Sequence, residues 1–316
     1  MVPHSLPAEL DRLLTCDVDR DWGNFVDGSM IWSLQTYLLL RSSGLPVTCS
    51  DELKPNVINL GHEPEMEAMR AREDAFLVSM QADYPRHGWA QLHVLQNQSQ
   101  VTDERCEWIP VWPQPGLIPR DPSRVGVKCV AHTGRAYYLA GGEQKWIEAL
   151  GKLACEFRLL NETRWNDRSQ VDVIVAIRSF DRNRYDRKPP SKLIDAWHSG
   201  VPMIAGWDSA FEQIATPGIE YLRADSLDAA VEAIRRLQSD RELYDRLVQR
   251  GKTRAAEFSR DAVRQRWISF LTNKAVPHFR RWINRGALSR FAWRGRVIYS
   301  KSVRRVRGIA KSLIRR

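Results

Sequence analysis

The chain has 316 residues, 43% of them apolar, a length that allows two domains of ordinary size with real cores. Its net charge of +10 is uneven: residues 275–316 hold 13 Lys or Arg and no Asp or Glu, and the remainder holds 35 basic against 38 acidic residues, a net of −3. That distribution excludes a basic nucleic-acid-binding body, and the lack of any apolar run near the roughly 18–20 residues a bilayer span needs excludes a transmembrane helix.

Residues 1–15 read as a short leading helix or arm, with no basic stretch ahead of an apolar core and so no signal peptide. Residues 16–27 are polar and read as a loop. Ser29 is placed to cap a helix whose apolar face is Met30, Ile31, Leu34, Tyr37, Leu38 and Leu39, stopped by Gly44. Strands are expected at 45–48, 57–60, 75–80, 92–95 and 108–111, with a short helix at 65–74 and a loop at 83–88. Alternating strand and helix favours a parallel sheet. Pro110, Pro113, Pro115, Pro119 and Pro122 then read as a stiff linker. The expected organisation is a first α/β domain over 1–120, a second over 121–274, and a basic tail over 275–316.

In the second domain, strands are expected at 125–131, 156–159, 171–177 and 220–222. Helices are expected at 146–153, 226–238, 240–257 and 260–273. The most structured stretch is Lys188-Pro-Pro-Ser-Lys-Leu-Ile-Asp-Ala-Trp-His-Ser-Gly-Val-Pro-Met-Ile-Ala205. Two prolines approach a helix, Ser191 caps it or binds an anion there, and Leu193, Ala196 and Trp197 form its buried face. Gly200 allows a left-handed residue at the helix end, and Val201 to Ala205 form a buried strand.

In open α/β sheets, ligands bind beyond the carboxyl ends of the strands. Three polar clusters fall there: Gly134-Arg135, Arg178-Ser179 and Ser191-Lys192. Taken singly, each is an ordinary solvated charge. Together, two guanidinium groups, an ammonium and a helix N-terminus suit a diphosphate. Asp195, one turn into the helix, is placed to accept hydrogen bonds from ribose hydroxyls.

Residues 125–271, nearly half the chain, resemble the C-terminal, donor-binding domain of GT-B-fold glycosyltransferases, in particular the GT4-like group. The resemblance rests on His132-Thr133-Gly134-Arg135, on Val171-Asp-Val-Ile-Val-Ala-Ile-Arg178, on the 188–205 unit, and on Glu257-Phe258 ahead of Trp267. The first half is similar in architecture only. The resemblance implies two Rossmann-like domains and a metal-independent hexosyltransferase that moves a sugar from a nucleotide-diphosphate sugar to a glycan or lipid-linked acceptor. It implies no further cofactor. It places Gly134, Arg135, Arg178, Ser191, Lys192 and Asp195 on the donor. Retaining members carry two glutamates with seven residues between them; Asp195 stands at the second and Arg187 at the first. Arg187 is not acidic, which keeps a catalytically silent binding module, at a membrane or in a surface-polysaccharide complex, as the alternative.

The remaining candidates are weaker signals. His62, just after a first-domain strand, and Asp83 are placed to act as a general base toward the acceptor. His87 and Arg86 share the Asp83 loop, and His198 is better placed for packing. Asp17-Val-Asp19 has the form of a metal-binding carboxylate pair but reads as loop charge. The five cysteines are odd in number and lack metal-ligand spacing, so reduced thiols, a cytoplasmic setting and no metal site are expected. Trp22 and Trp89 fall in expected loops where a ring can stack on a sugar; Trp32, Trp146 and Trp267 read as core. In the tail, Val303, Val306, Ala310, Leu313 and Ile314 share a helical face. Arg304, Arg305, Arg307, Lys311 and Arg315 lie elsewhere, with Phe279, Trp282, Ile283, Phe291 and Trp293 as anchors. Such a helix suits an anionic membrane surface, and with it a peripheral location on the inner face. A tail folded back over the domains, or one binding RNA phosphates, fits the same composition.

Overall fold

The computed structural model describes residues 10–69, 72–161 and 163–314, the last eleven of these by their backbone. Residues 1–9 of the expected leading arm, Arg315, and the side chains of the tail residues from Arg304 onward lie outside the described set. The chain opens with α1 (Leu10–Leu13), a 3₁₀ turn at Trp22–Asn24, and a π-helical segment at Met30–Gln35 running into α2 (Thr36–Arg41). There follow β1 (Ile58–His62), α3 (Glu63–Ala68), β2 (Phe76–Met80), β3 (Leu92–Leu95), a 3₁₀ turn at Gln98–Gln100, and β4 (Cys106–Trp108). The expected strand at 45–48 does not form. Leu45 and Val47 pack half-buried on the core, but among the described residues β1 pairs with β2 alone and gives them no ladder.

The four strands are parallel and lie in the order β1-β2-β3-β4, so the first sheet never reverses direction. Alternation of side chains sends Phe76, Val78 and Met80 to one face and Leu77 to the other. The β2–β3 and β3–β4 connections carry no α-helix, so the sheet must find cover from elsewhere.

The second domain contains β5 (Cys129–Thr133), α4 (Glu143–Gly151), β6 (Glu156–Leu160), β7 (Val173–Ala176), α5 (Ser191–Ser199), β8 (Met203–Ala205), α6 (Ser209–Glu212), β9 (Leu222–Arg223), α7 (Leu227–Ser239) and α8 (Arg241–Glu257). Its order, β6-β5-β7-β8-β9, is doubly wound and parallel, with the switch point between β5 and β7. Ser226 and Asp240 accept from the N–H groups of Ala229 and Leu243, starting α7 and α8 as N-caps. Gly200 ends α5 in the left-handed region at φ 66°.

From α9 (Arg260–Phe270) the chain returns to the first domain. A π-helical turn at Leu271–Ala275 joins α9 to α10 (Val276–Ile283), and its wider bore accommodates Pro277, which lacks an N–H. Trp267, Phe270, Ala275 and Trp282 are buried in the first core, and α11 (Ala287–Ile314) places Trp293 against Trp89 on the opposite face of the first sheet. The tail thus supplies the cover that the β2–β3 connection lacks. Three of the expected membrane anchors are claimed by this packing: Trp282 and Trp293 are buried, and Phe279 packs on Phe76 at 5.7 Å between ring centres. Trp89 is likewise core, and Trp22 covers Gly116 at the linker.

The proline-rich linker starts in the first core, where Val111 and Trp112 are buried and Trp112 Nε1 donates to Thr36 Oγ1, and its second half is bound to the second domain. Ile118 exchanges backbone hydrogen bonds with Asn166 and Arg168, and the Arg120 N–H donates to the Ser199 carbonyl. Its end is fixed by Asp172, a buried carboxylate that accepts from Arg120, Arg124 and the N–H groups of Lys128 and Cys129. At the other end of the chain, Asp19 accepts from both terminal nitrogens of Arg260 and from the Gly116 N–H. The Asp17–Asp19 pair is therefore a structural clamp: Asp17 caps its own turn through the N–H groups of Asp19 and Arg20.

Candidate functional site: the interdomain cleft

A cavity of about 720 Å³ lies between the domains. Its second-domain wall is the carboxyl edge of β5 and β7 with the first turn of α5. Its first-domain wall is the π-helical segment, the end of β1 and the loop after β2. Of the residues proposed from sequence, His62, Asp83, Gly134, Arg135, Arg178, Ser191, Lys192 and Asp195 line it, whereas Ser179, which pairs with Asp181 and Tyr185, and Arg86 and His87 do not.

The donor-side groups converge for local reasons. β5 continues through His132 and Thr133, two residues into the expected turn, because it pairs on both sides and His132 Nδ1 lies 3.0 Å from the Val175 carbonyl. The turn then falls on Gly134, at φ 111°. That positive φ, and not lack of room, is what calls for glycine: a Cβ there would meet Lys192 Nζ at an ordinary 3.7 Å, which places the turn beside the ammonium. Pro190, rather than Ser191, takes the N-cap position; Ser191 is the first helical residue, so it is not the cap, and it lines the cleft. Arg178 is fixed by Asp208, 3.1 Å away, and lies over the rings of Tyr138 and Tyr185. Arg135 reaches the Tyr137 hydroxyl at 3.2 Å.

The electrostatics are unbalanced. Lys192 makes no ion pair among the described residues, and burial together with the neighbouring Arg178 and Lys188 holds its pKa well below the usual lysine value. Arg168, 2% exposed, also lines the cavity, and burial lowers it to about 10. Burial raises the Asp195 carboxyl above the usual range, and one of its oxygens accepts the Gln114 N–H at 2.9 Å. Several residues that line the cavity also carry buried side-chain atoms without a hydrogen-bond partner among the described residues: the Gln35 amide, His62 Nε2, Trp165 Nε1, and Nε and Nη1 of Arg168. These atoms are turned away from the open space, and each costs the wall free energy until a neighbour shifts to meet it.

On the first-domain wall, burial lowers His62 to about 4, so its imidazole is neutral near pH 7; its Nδ1 lies 3.4 Å from Ser29 Oγ. Asp83 is engaged on both oxygens, with Lys188 on one and Gln96 Nε2 on the other. Gln96 Nε2 also donates to the Arg187 carbonyl, and Asn97 Nδ2 to the Lys188 carbonyl. Arg187 itself is exposed. Sequence reasoning missed Arg168, Trp165, Lys188, Gln35 and Gln114 as cleft residues. Only Lys188 carried a signal, its place just ahead of the Pro-Pro pair.

The site and fold together define a class: two Rossmann-like domains facing across a cleft, with the chain returning at its end to the first domain, which is the GT-B architecture of glycosyltransferases. No family model and no curated protein matches the sequence. Among solved structures, the chain is similar to TarM of S. aureus, at 10% identity and a TM-score of 0.50, over 74% of this chain and 58% of that one. It is also similar to HepE of Anabaena in complex with UDP, at 12% identity and a TM-score of 0.48, over 63% of this chain and 72% of that one. A third similar structure is WaaG, a glycosyltransferase involved in lipopolysaccharide biosynthesis, at 13% identity and a TM-score of 0.42, over 57% and 62%. At these identities the likeness is one of fold.

Proposed function

We propose that the chain is a glycosyltransferase that takes a nucleotide-diphosphate sugar in the cleft and transfers the sugar to a glycan or lipid-linked acceptor. The observation that carries this reading is the convergence, at the β5/β7 switch point, of Arg178, Lys192 and the N-terminus of α5 on one cavity, with Lys192 lacking a carboxylate partner among the described residues. A diphosphate supplies the negative charge this group of cations calls for. HepE, similar in fold, forms complexes with UDP and with UDP-glucose. Catalysis then comes from stabilising the departing nucleoside diphosphate and holding the acceptor in line, with no metal and no further cofactor.

With Asp83 committed to Lys188 and Gln96, His62, whose imidazole is neutral near pH 7, is the candidate base on this wall; its Nε2 is buried beside Gly28, so taking the acceptor proton requires the Gly28 segment to give way. Together with Arg187 at the position of an expected acid, this favours inversion at the anomeric carbon. The test is release of nucleoside diphosphate from a panel of sugar nucleotides, with proton NMR of the product anomer. Nucleotide binding without turnover on any acceptor favours the silent binding module, and absence of nucleotide binding refutes the donor site altogether.

The tail carries the finer reading of location. No described helix is long and apolar enough to cross a membrane. Leu288, Phe291, Ile298 and Tyr299 of α11 are exposed by 88, 77, 68 and 73%, near exposed Arg290, Arg294 and Lys301. Spacings of three, seven and one residues keep all four on one side of the helix. An apolar strip edged by cations suits an anionic bilayer surface. Co-sedimentation with vesicles containing phosphatidylglycerol, compared with pure phosphatidylcholine, tests it: Leu288→Ser with Phe291→Ser should abolish the binding, and equal binding to both vesicles refutes it.

A further inference from the structure

One cluster of ligand-type side chains stands outside the cleft. Glu63 and Glu67 are four residues apart on α3 and therefore project from the same face. His87, from the loop after β2, meets them: its Nδ1 lies 3.5 Å from a Glu63 oxygen and 3.7 Å from a Glu67 oxygen. One ligand atom from each of the three fits within 4.8 Å of the others. None of the three lines the cleft, although their neighbours His62 and Pro64 do.

We propose that Glu63, Glu67 and His87 hold a divalent transition-metal ion of the Zn²⁺ type, as a structural clip. Two N or O ligands about 2.1 Å from a tetrahedral ion stand about 3.4 Å apart, which is close to the separations here. One imidazole and two carboxylates form a set that suits Zn²⁺, and their two negative charges match the ion. Glu63 and His87 are buried, at 3 and 1% exposure, while the Glu67 side chain is 33% exposed. The site thus has a closed floor and one open side for entry and for a water as fourth ligand. The surroundings explain what the clip would fix. The His87 ring packs on Trp89 at 4.5 Å, and Trp89 packs on Trp293 of the tail, whose Nε1 donates to the Trp89 carbonyl at 3.3 Å. An ion here ties α3, the 81–91 loop and α11 together behind the acceptor wall. The proposal does not depend on the donor site, and it is tested without any sugar nucleotide.

The experiment uses the full chain, purified without a metal-binding tag. Elemental analysis before dialysis against EDTA should find about one Zn²⁺ per chain, and adding Zn²⁺ back should raise the thermal midpoint by several degrees. Co²⁺ substitution should give a visible d–d spectrum. Glu67→Gln, at the half-exposed ligand, should leave the midpoint of the EDTA-treated protein unchanged, weaken Zn²⁺ binding at least tenfold and erase the Co²⁺ spectrum. The proposal is overturned if the wild type neither retains metal nor responds to Zn²⁺. It is equally overturned if Glu67→Gln and His87→Gln respond as the wild type does. A drop in the midpoint of EDTA-treated Glu67→Gln with no Zn²⁺ response in the wild type identifies the cluster as an ion pair of His87 with its two carboxylates.

Discussion

Lys192→Met separates a binding role from a folding role, because the two predict opposite signs. In the folded chain the ammonium borders the cleft with Arg178, Lys188 and Arg168 as like-charged neighbours, and Asp208 as the nearest compensating charge. Replacing a poorly compensated, partly buried charge by an apolar side chain of similar length removes that penalty. Because Lys192 still borders open space, the gain belongs at the low end, about 1–2 kcal/mol. For a chain of this size that is a rise of roughly 2–6 °C in the thermal midpoint. Binding should move the other way. Removing a charged partner of a desolvated phosphate costs about 2–5 kcal/mol, a loss of about 30-fold to 4,000-fold in affinity. Thermal unfolding without ligand reads the first effect. Calorimetric titration with UDP, GDP and ADP reads the second. A Met variant that is less stable than wild type and binds nucleotide unchanged would refute the argument and make Lys192 a structural partner of Asp208.

Other outcomes follow from the same structure. Asp172→Ala strips the shared partner from Arg120, Arg124 and two backbone N–H groups, and should cost about 3–5 kcal/mol in urea unfolding. Despite its burial, the Asp172 carboxyl is held below its usual value by Arg124 and these N–H groups; its stabilisation is complete above the ordinary Asp value near 3.9 and is lost as the pH falls below it. A second, higher acid limb belongs to buried histidines: burial lowers His62 to about 4, and His93 and His132 to about 3. The unfolded chain takes up protons near 6.5 that the folded chain refuses, so stability should fall as the pH drops from about 6.5 to 4, on the order of 2–3 kcal/mol for each histidine; unfolding free energies that stay flat from pH 7 to 5 refute this. Trp293→Ala should destabilise the whole chain by about 3–4 kcal/mol, whereas Leu288→Ser, at an 88% exposed position, should leave the urea midpoint unchanged.

What the sequence made legible follows from where its signals are local. The 188–205 unit is set by its own residues: prolines that lead in, Leu193, Ala196 and Trp197 on one face, and a Gly200 that must turn left-handed. The second-domain sheet was legible for the same reason, since each buried strand is bounded by turn residues. The strand at 45–48 was not, because an apolar pattern says a segment is buried and cannot say whether a pairing partner exists. The tail was legible only in part, through a related ambiguity. An amphipathic helix has an apolar face, but Trp293 turns inward to Trp89 while Leu288 and Phe291 turn outward, and only the open face of the first sheet decides between them. Arg168 had no signal at all: it precedes β7, on the return from β6, and reaches the cleft only because the linker and α5 fold around it.

The two walls of the cleft are not independent surfaces. The segment that delivers the N-terminus of α5 is gripped from the first domain at three points: the Arg187 and Lys188 carbonyls by Gln96 and Asn97 at the end of β3, and the Lys188 ammonium by Asp83. One turn into α5, Asp195 is bound by the linker N–H of Gln114. A movement of either domain therefore acts on the segment that carries Lys192, and not only on the width of the gap in front of it. A ligand that draws Lys192 and Arg178 together acts on the same segment, so it stabilises whichever domain arrangement brings those groups closest, by its difference in affinity between arrangements. The first domain, lacking helices in two of its connections, would be a soft partner for such coupling. The return of α9, α10 and α11 makes it a firm one, since Trp267, Trp282 and Trp293 tie both faces of its sheet to the helices that leave the second domain.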